Sequence, residues 1–292
     1  MRANQFSRTA LTVAAVRALV VLEKEDDCLS DPIAYELLTP AWQRALGNRL
    51  FRWLVFRIRG GRMVRGITCA VLSRSKLAED TLEVLINTGN AQYILLGAGL
   101  DSYAYRNLQD TEKLKIFEVD FPATQALKQA QVCRAGLTQP ANLIYVPCDF
   151  ESESPAKKLI AHKLNPDVRS VIAWLGIVPY LSQGAIRKVL EDLASLSVEG
   201  SHIIFDYYDE IVHTDRAPRD AQSVLRATAA HGEPMISSHN AEGIQSLLKD
   251  TGWAIINDYD SESISARFFS KGGTYVREPF SFARLVHATR SA

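Results

Sequence analysis

Residues 92–106 read QYILLGAGLDSYAYR. An apolar run opens into Gly97-Ala98-Gly99 and then meets an acid, Asp101, and an arginine, Arg106. A short apolar run that ends in glycine reads as a buried strand whose carboxyl end must leave room for something beside the backbone. The same grammar repeats downstream. KIFEVD (115–120), NLIYVPCDF (142–150), SVIAWLGI (170–177) and HIIFDYYD (202–209) are strand candidates. Helical stretches such as ATQALKQAQVCRA (123–135) and QGAIRKVLEDLASL (183–196) lie between them. Strands alternating with helices predict crossover units and a mostly parallel sheet covered on both faces. AEGIQSLLKDTG (241–252) adds a helix ending at Gly252, WAIINDYD (253–260) a strand, and FARLVHAT (282–289) a terminal strand.

Upstream of this alternation the first ~85 residues carry apolar residues at the spacing of one buried helix face. Asp31-Pro32 reads as a helix start, with the acid as cap and proline at the first helical position. SKLAEDTLEVLI (75–86) repeats Leu77, Leu82, Leu85 and Ile86 at helical spacing before Asn87–Asn90 break it. The expected organisation is a helical cap over 1–86 and an α/β core over 87–292. Residues 211–238, rich in Asp, Arg, Pro and His, interrupt the alternation as an insertion near the site. LTVAAVRALVVL (11–22) contains Arg17 and runs into EKEDD (23–27), which suits neither a signal-peptide cleavage site nor a bilayer span. An amphipathic helix packed on the body of the protein is expected there.

The chain has 292 residues, with 33 Lys+Arg against 33 Asp+Glu. No global field favours nucleic acid or an anionic membrane, and neither is expected as a partner, although Arg44–Arg74 forms a locally basic run. Cys28, Cys69, Cys133 and Cys148 are scattered, without C-x-x-C pairs or histidines at ligand spacing. Buried, reduced thiols in a cytoplasmic protein are expected, and no metal site.

In an open parallel sheet, ligands sit beyond the carboxyl ends of the strands. Gly97 and Gly99 end the first strand. Asp120 ends the second, about 20 residues further on, where such folds place an acid for the ribose hydroxyls. Asp149 and Phe150 end the third, an acid and a ring suited to an adenine amine and face. Trp174, Leu175, Gly176 and Tyr180 follow the fourth at the same rim. Each acid alone could serve as a helix cap, but three strand-end features in register are harder to explain that way. A dinucleotide fingerprint needs a third glycine, and here Asp101-Ser102 stands in its place. A carboxylate repels a pyrophosphate and suits a cationic sulfonium and ammonium. The pattern therefore favours S-adenosylmethionine over a nicotinamide dinucleotide.

GAGLDSYAYR (97–106), FEVD (117–120), PCDF (147–150) and WLGIVPYL (174–181), in that order, resemble the leucine carboxyl methyltransferase-like family of S-adenosylmethionine-dependent O-methyltransferases. So do SRTA (7–10), AAVRA (14–18) and DPIA (31–34). The resemblance runs from about residue 7 to about residue 209. It implies a class I methyltransferase fold: a Rossmann-like seven-stranded α/β sheet with an N-terminal helical cap. It also implies that Gly97, Gly99 and Asp101 line the methionine part of the cofactor, that Asp120 holds the ribose, and that Asp149 with Phe150 holds the adenine. The family carries an arginine before the first strand for the cofactor's carboxylate, and SRSKLAEDTL (73–82) puts that role on Arg74. Leu175 stands where the protein-phosphatase-methylating branch has glutamate, so the chain looks like the bacterial and fungal small-molecule members.

A carboxylate acceptor needs no general base, whereas a phenol or alcohol benefits from one. Tyr180, Tyr207 and His213 are candidate catalytic groups, with Tyr208, His202, His231 and His239 behind them; for every histidine a structural role is the more ordinary one. The expected activity is methylation of a carboxylate on a small molecule or peptide. Phenol or alcohol O-methylation in secondary metabolism, and a non-catalytic cofactor-binding protein on the same fold, are the alternatives. Arg8, Arg17 and the arginines after Arg44 are candidate partners for an acceptor carboxylate.

Overall fold

The computed structural model describes residues 8–24, 28–55, 61–108, 112–150, 152–230, 232–269 and 279–291. Five helices come first: α1 (Arg8–Leu22), α2 (Ile33–Glu36), α3 (Pro40–Gly47), α4 (Arg49–Trp53) and the long α5 (Gly61–Ile86). Then strands and helices alternate: β1 (Ala91–Leu96), α6 (Tyr103–Arg106), β2 (Leu114–Asp120), α7 (Pro122–Arg134), β3 (Leu143–Pro147), α8 (Pro155–Ala161), β4 (Ser170–Trp174), α9 (Gln183–Ser195) and β5 (His202–Tyr208). The chain closes with α10 (Arg219–Ala230), α11 (Ala241–Asp250), β6 (Trp253–Tyr259), α12 (Ser261–Phe268) and β7 (Ala283–Arg290).

The strands form one seven-stranded sheet in the order β3-β2-β1-β4-β5-β7-β6. The first five are parallel, and β7 inserts antiparallel between β5 and β6. Strand β1 is buried throughout its length, as a central strand covered on both faces must be. Its side chains alternate: Ile94 and Leu96 join Phe117, Val119, Ile172 and Trp174 on one face. Tyr93 and Leu95 join Ile116, Val171 and Ala173 on the other. The topology reverses between β1 and β4, which leaves a crevice beyond their carboxyl ends.

Helix α5 runs fourteen residues further toward the N-terminus than the 75–86 segment singled out by its leucines. Gly66 sits in its second turn, where a Cβ would lie 2.3 Å from the ring of Phe280. Helix α1 is not amphipathic as expected. Ala14 through Val20 are all buried, Arg17 included, because α1 packs against α2 and α5 and also faces the β1–α6 turn. Asp31 does cap the following turn, accepting from the Ala34 amide at 3.0 Å. Of the four free cysteines Cys133 is exposed, against the expectation of burial; the other three are buried. No helix among the described residues is long and apolar enough to cross a membrane.

The segment after β5 forms a 3₁₀ turn (Glu210–His213), α10 and a returning loop. That loop is pinned beside the carboxyl end of β4. The amides of Ile236 and Ser237 donate to Pro179 O at 2.7 and 3.1 Å, and Ser237 Oγ donates to Val178 O at 2.8 Å.

Candidate active site

One cavity of about 390 Å³ opens over the switch point. Arg74, Gly97, Gly99, Asp101, Asp120, Asp149, Phe150 and Leu175 all line it, so eight separated positions converge on one space. Tyr180 lines it as well. Tyr207 and His213 do not. Register explains Tyr207: Asp206 faces α5, so its neighbour points through the sheet and donates to Asp258 Oδ2 at 2.9 Å. His213 lies in the 3₁₀ turn after β5, exposed, with Nδ1 2.9 Å from Ser238 Oγ. Trp174 also turns away, into the core beside Phe205. His202, Tyr208 and His239 are absent from the lining, while His231, Arg57, Arg59 and the Arg8 side chain lie outside the described residues.

The floor is made by strand ends. Asp120 accepts from the amides of Gly99 and Phe121, the second at 2.6 Å. Burial pushes its carboxyl up to about 6, and those two amides together with Lys128 limit the rise. Gly97 has φ +69°, and a Cβ there would meet Ile177 Cδ1 at 2.5 Å. Both facts demand glycine, because an L side chain is strained in that region and has no space here. Cys148 lines the same floor, and burial holds its thiol up to about 12, which keeps it protonated.

The wall is made by helices, and its charges are held in pairs. Arg74 Nη1 contacts Asp206 Oδ2 at 2.8 Å, and Asp206 Oδ1 accepts from the Gly176 amide at 2.6 Å. A Cβ on Gly176 would lie 2.7 Å from the Arg74 guanidinium, so this glycine clears the place where the arginine rests. Deeper in, Arg17 bridges Asp101 at 2.8 Å and Asp31 at 3.2 Å, and donates to Ser75 Oγ at 2.6 Å. Arg106 extends the network to Glu79 at 2.8 Å. Burial alone would raise the Asp101 carboxyl, but Arg17, Arg106 and Lys128 hold it at about 2. Arg17 is thereby committed to carboxylates of its own chain and is not free for an acceptor's. Among the described arginines after Arg44, only Arg74 reaches the cavity.

Three positions were given no role at the site by the sequence. Asp206 lies within HIIFDYYD but carries no spacing signal, and Asp31 reads only as a cap. Glu233, in the returning loop, lines the cavity and accepts from Thr9 Oγ1 of α1 across 224 residues. Tyr180 stands beside them, its hydroxyl pushed up to about 12 by burial.

Strand order and the crevice at the switch point are those of the class I S-adenosylmethionine-dependent methyltransferase fold. Two solved structures share the fold. One is a DUF574 family protein from Streptomyces avermitilis MA-4680, with TM-score 0.58 and 12% identity, covering 95% of this chain and 97% of that one. The other, from Thermobifida fusca YX, has TM-score 0.55 and 14% identity, covering 95% and 94%. The family model described as leucine carboxyl methyltransferase matches residues 10–194, and the chain belongs to that family. YktD of Bacillus subtilis (strain 168), placed by its name among the S-adenosyl-L-methionine-dependent methyltransferases, is 32% identical over 220 residues, 75% of this chain and 72% of that one. A similarly named protein of Mycolicibacterium smegmatis is 28% identical over 228 residues, 76% and 72%.

Proposed function

We propose that this enzyme methylates a carboxylate oxygen of a small-molecule or peptide acceptor. The cofactor fits the cavity on charge. Asp101, Asp120, Asp149 and Glu233 line it against Arg17 and Arg74, and both arginines are already paired with aspartates. A ligand carrying a sulfonium and an ammonium suits that surplus of acid. On this reading Asp120 accepts from the ribose hydroxyls, Asp149 and Phe150 receive the adenine, and Gly97 and Gly99 let the methionine part approach the backbone. Arg74, steadied by Asp206, meets the carboxylate, and Asp101 faces the cationic end. When bound, S-adenosylmethionine supplies an electrophilic methyl group and leaves as a neutral thioether.

What remains for the chain is alignment and exclusion of water. Ile177, Leu181, Ile236 and Val13 give the cavity an apolar side on which an acceptor can be stripped of water. The observation that supports the carboxylate reading is that, among the described residues, no histidine lines the cavity and its carboxylates are taken up by the roles above or, for Glu233, by Thr9. Tyr180 and Cys148 both hold their protons at neutral pH. A carboxylate is already ionised there and needs no proton removed.

Incubation with methyl-labelled cofactor and separate pools of carboxylic acids and phenols tests the reading. Label transferred to a carboxylate is released as volatile methanol by mild alkali, whereas an aryl ether keeps it. Alkali-stable product from the preferred pool would replace carboxylate methylation with hydroxyl methylation.

A further inference from the structure

Residues 37–78 contain eight arginines and one lysine and no acid, so the rest of a neutral chain carries 24 cations against 33 acids. Within this stretch α4 is built with its polarity inverted. Arg52 turns inward, donating to Leu46 O at 2.7 Å and pairing with Glu23 at 2.5 Å. Leu50, Phe51, Trp53 and Leu54 are left outside, Leu50 with 69% and Trp53 with 49% of their surface in solvent. Arg44 and Arg49 beside them are also exposed. A linker laid on a globular surface would bury its leucines and expose its arginine. Here the arginine fastens the turn and the apolar side chains face out.

We propose that the α3–α4 surface docks on an anionic lipid bilayer. Leu50, Phe51, Trp53 and Leu54 enter the boundary between headgroups and acyl chains, and Arg44 and Arg49 sit at the lipid phosphates. Leucine and aromatic side chains bordered by arginine are the composition of helices that lie in a membrane interface, and basic segments gather on acidic leaflets. Charge complementarity selects this occupant over a second copy of the chain, which would bring one basic face against another. Within the run Arg52, Arg62, Arg74 and Lys76 pair with Glu23, Asp220, Asp206 and Asp80, and among the described residues the basic charge left exposed beside α4 is that of Arg44 and Arg49. The surface is separate from the active site. None of Arg44, Arg49, Leu50, Phe51, Trp53 and Leu54 lines the cavity.

The test is co-sedimentation of the full chain with vesicles of phosphatidylcholine alone or with about one third phosphatidylglycerol, at low and raised salt. Trp53 supplies a second signal: Trp174 and Trp253 are buried and Trp42 half-buried, so a blue shift of emission on mixing reports Trp53 entering lipid. Binding to the anionic vesicles is expected to exceed binding to neutral ones by about tenfold or more, and to weaken with salt. The double variant Leu50→Glu/Trp53→Glu changes only exposed positions; it should lose at least about tenfold of that binding while keeping its far-UV spectrum and melting temperature. Equal binding to both vesicle types, no binding at low salt, or undiminished binding by the variant would each overturn the proposal. Heparin binding that the variant retains alongside vesicle binding would make the run a general polyanion site. A dimer seen by light scattering and abolished by the variant would make the face a self-association surface.

Discussion

The floor and the wall of the cavity present the same kinds of side chain but are held by different means. On the floor, Gly97, Gly99, Asp120, Asp149 and Phe150 follow strand ends, and the sheet's hydrogen bonds fix where they stand. On the wall, Arg17 and Arg74 reach in from helices and are held by aspartates distant in sequence, Asp101 and Asp206. The difference teaches that the floor is a binding surface attached to a fold that exists without it. The wall's ion pairs join the N-terminal helices to the sheet. Perturbing the wall should therefore cost stability, and perturbing the floor should cost ligand.

The largest effect is expected at Arg17. Removing one member of a buried ion pair strands its partners, and Arg17→Met takes away the 2.8 and 3.2 Å contacts to Asp101 and Asp31, leaving them the more distant Arg106, 3.8 Å from Asp31. Urea unfolding should show a loss of about 3–5 kcal/mol. A loss below about 1 kcal/mol, the range of exposed pairs, would mean that water reaches these carboxylates and that the wall is not structural.

The contrast sharpens at Asp120. Asp120→Asn should weaken S-adenosylhomocysteine by about 1.5–3 kcal/mol in calorimetry, the range for hydrogen bonds to a charged group, with little change in stability at neutral pH. The pH dependence has a definite sign. A carboxyl raised from 3.8 to about 6 holds its proton longer in the folded state than in the unfolded one. Its contribution is fully present below about pH 4 and fades as pH rises through 6. Ligand binding runs the other way, since ribose hydroxyls donate to the ionised form, and affinity should climb between pH 5 and 7. In Asp120→Asn both slopes should flatten. A wild-type affinity that is level across this range would move the ribose off Asp120.

Asp206 tests whether a wall residue can act on the ligand at second hand. Asp206→Asn keeps the shape but weakens its hold on Arg74 and on the Gly176 amide. A loss of about 1 kcal/mol in S-adenosylhomocysteine affinity is expected, the worth of one ordinary hydrogen bond. If Arg74 matters only through its charge, Arg74→Lys will bind as wild type does. If its orientation matters, Arg74→Lys and Asp206→Asn will lose affinity together.

This division explains what the sequence disclosed. The strand ends were legible because their signal is local: an apolar run, then glycine or acid, repeated at crossover spacing. FEVD and PCDF announce Asp120 and Asp149 without any knowledge of partners. Asp31 and Asp206 were not legible as wall residues, because their role exists only once α1 and α5 lie against the sheet. Asp31 read as a helix cap and is one, but the same carboxylate also holds Arg17 and Ser102, the latter at 2.5 Å. Tyr207 misled for a related reason. Its neighbour Asp206 faces α5 and Arg74, and a period of two then turns Tyr207 to the opposite face. Glu233 had no local mark at all; the returning loop places it there through Pro179 and Thr9.

The smallest effect is expected at Tyr180, the one candidate catalytic group among the described residues that lines the cavity. Burial lifts its hydroxyl to about 12, with Glu233 and Asp206 adding to the rise and Thr9 and Arg74 opposing it. Between pH 7 and 9 it keeps its proton and can orient an acceptor oxygen but cannot take a proton from one. Tyr180→Phe should then lower turnover by about fivefold, the worth of roughly 1 kcal/mol, and leave the pH profile unchanged. On a carboxylate acceptor that profile should be flat over the same range. On a phenol it should rise about tenfold per unit until the acceptor itself ionises. Turnover that falls about a thousandfold in Tyr180→Phe, with a wild-type rate that climbs with pH, would make Tyr180 the base and the acceptor a hydroxyl. A modest loss on a flat profile leaves alignment against an apolar wall as the whole of what the enzyme contributes to the transfer.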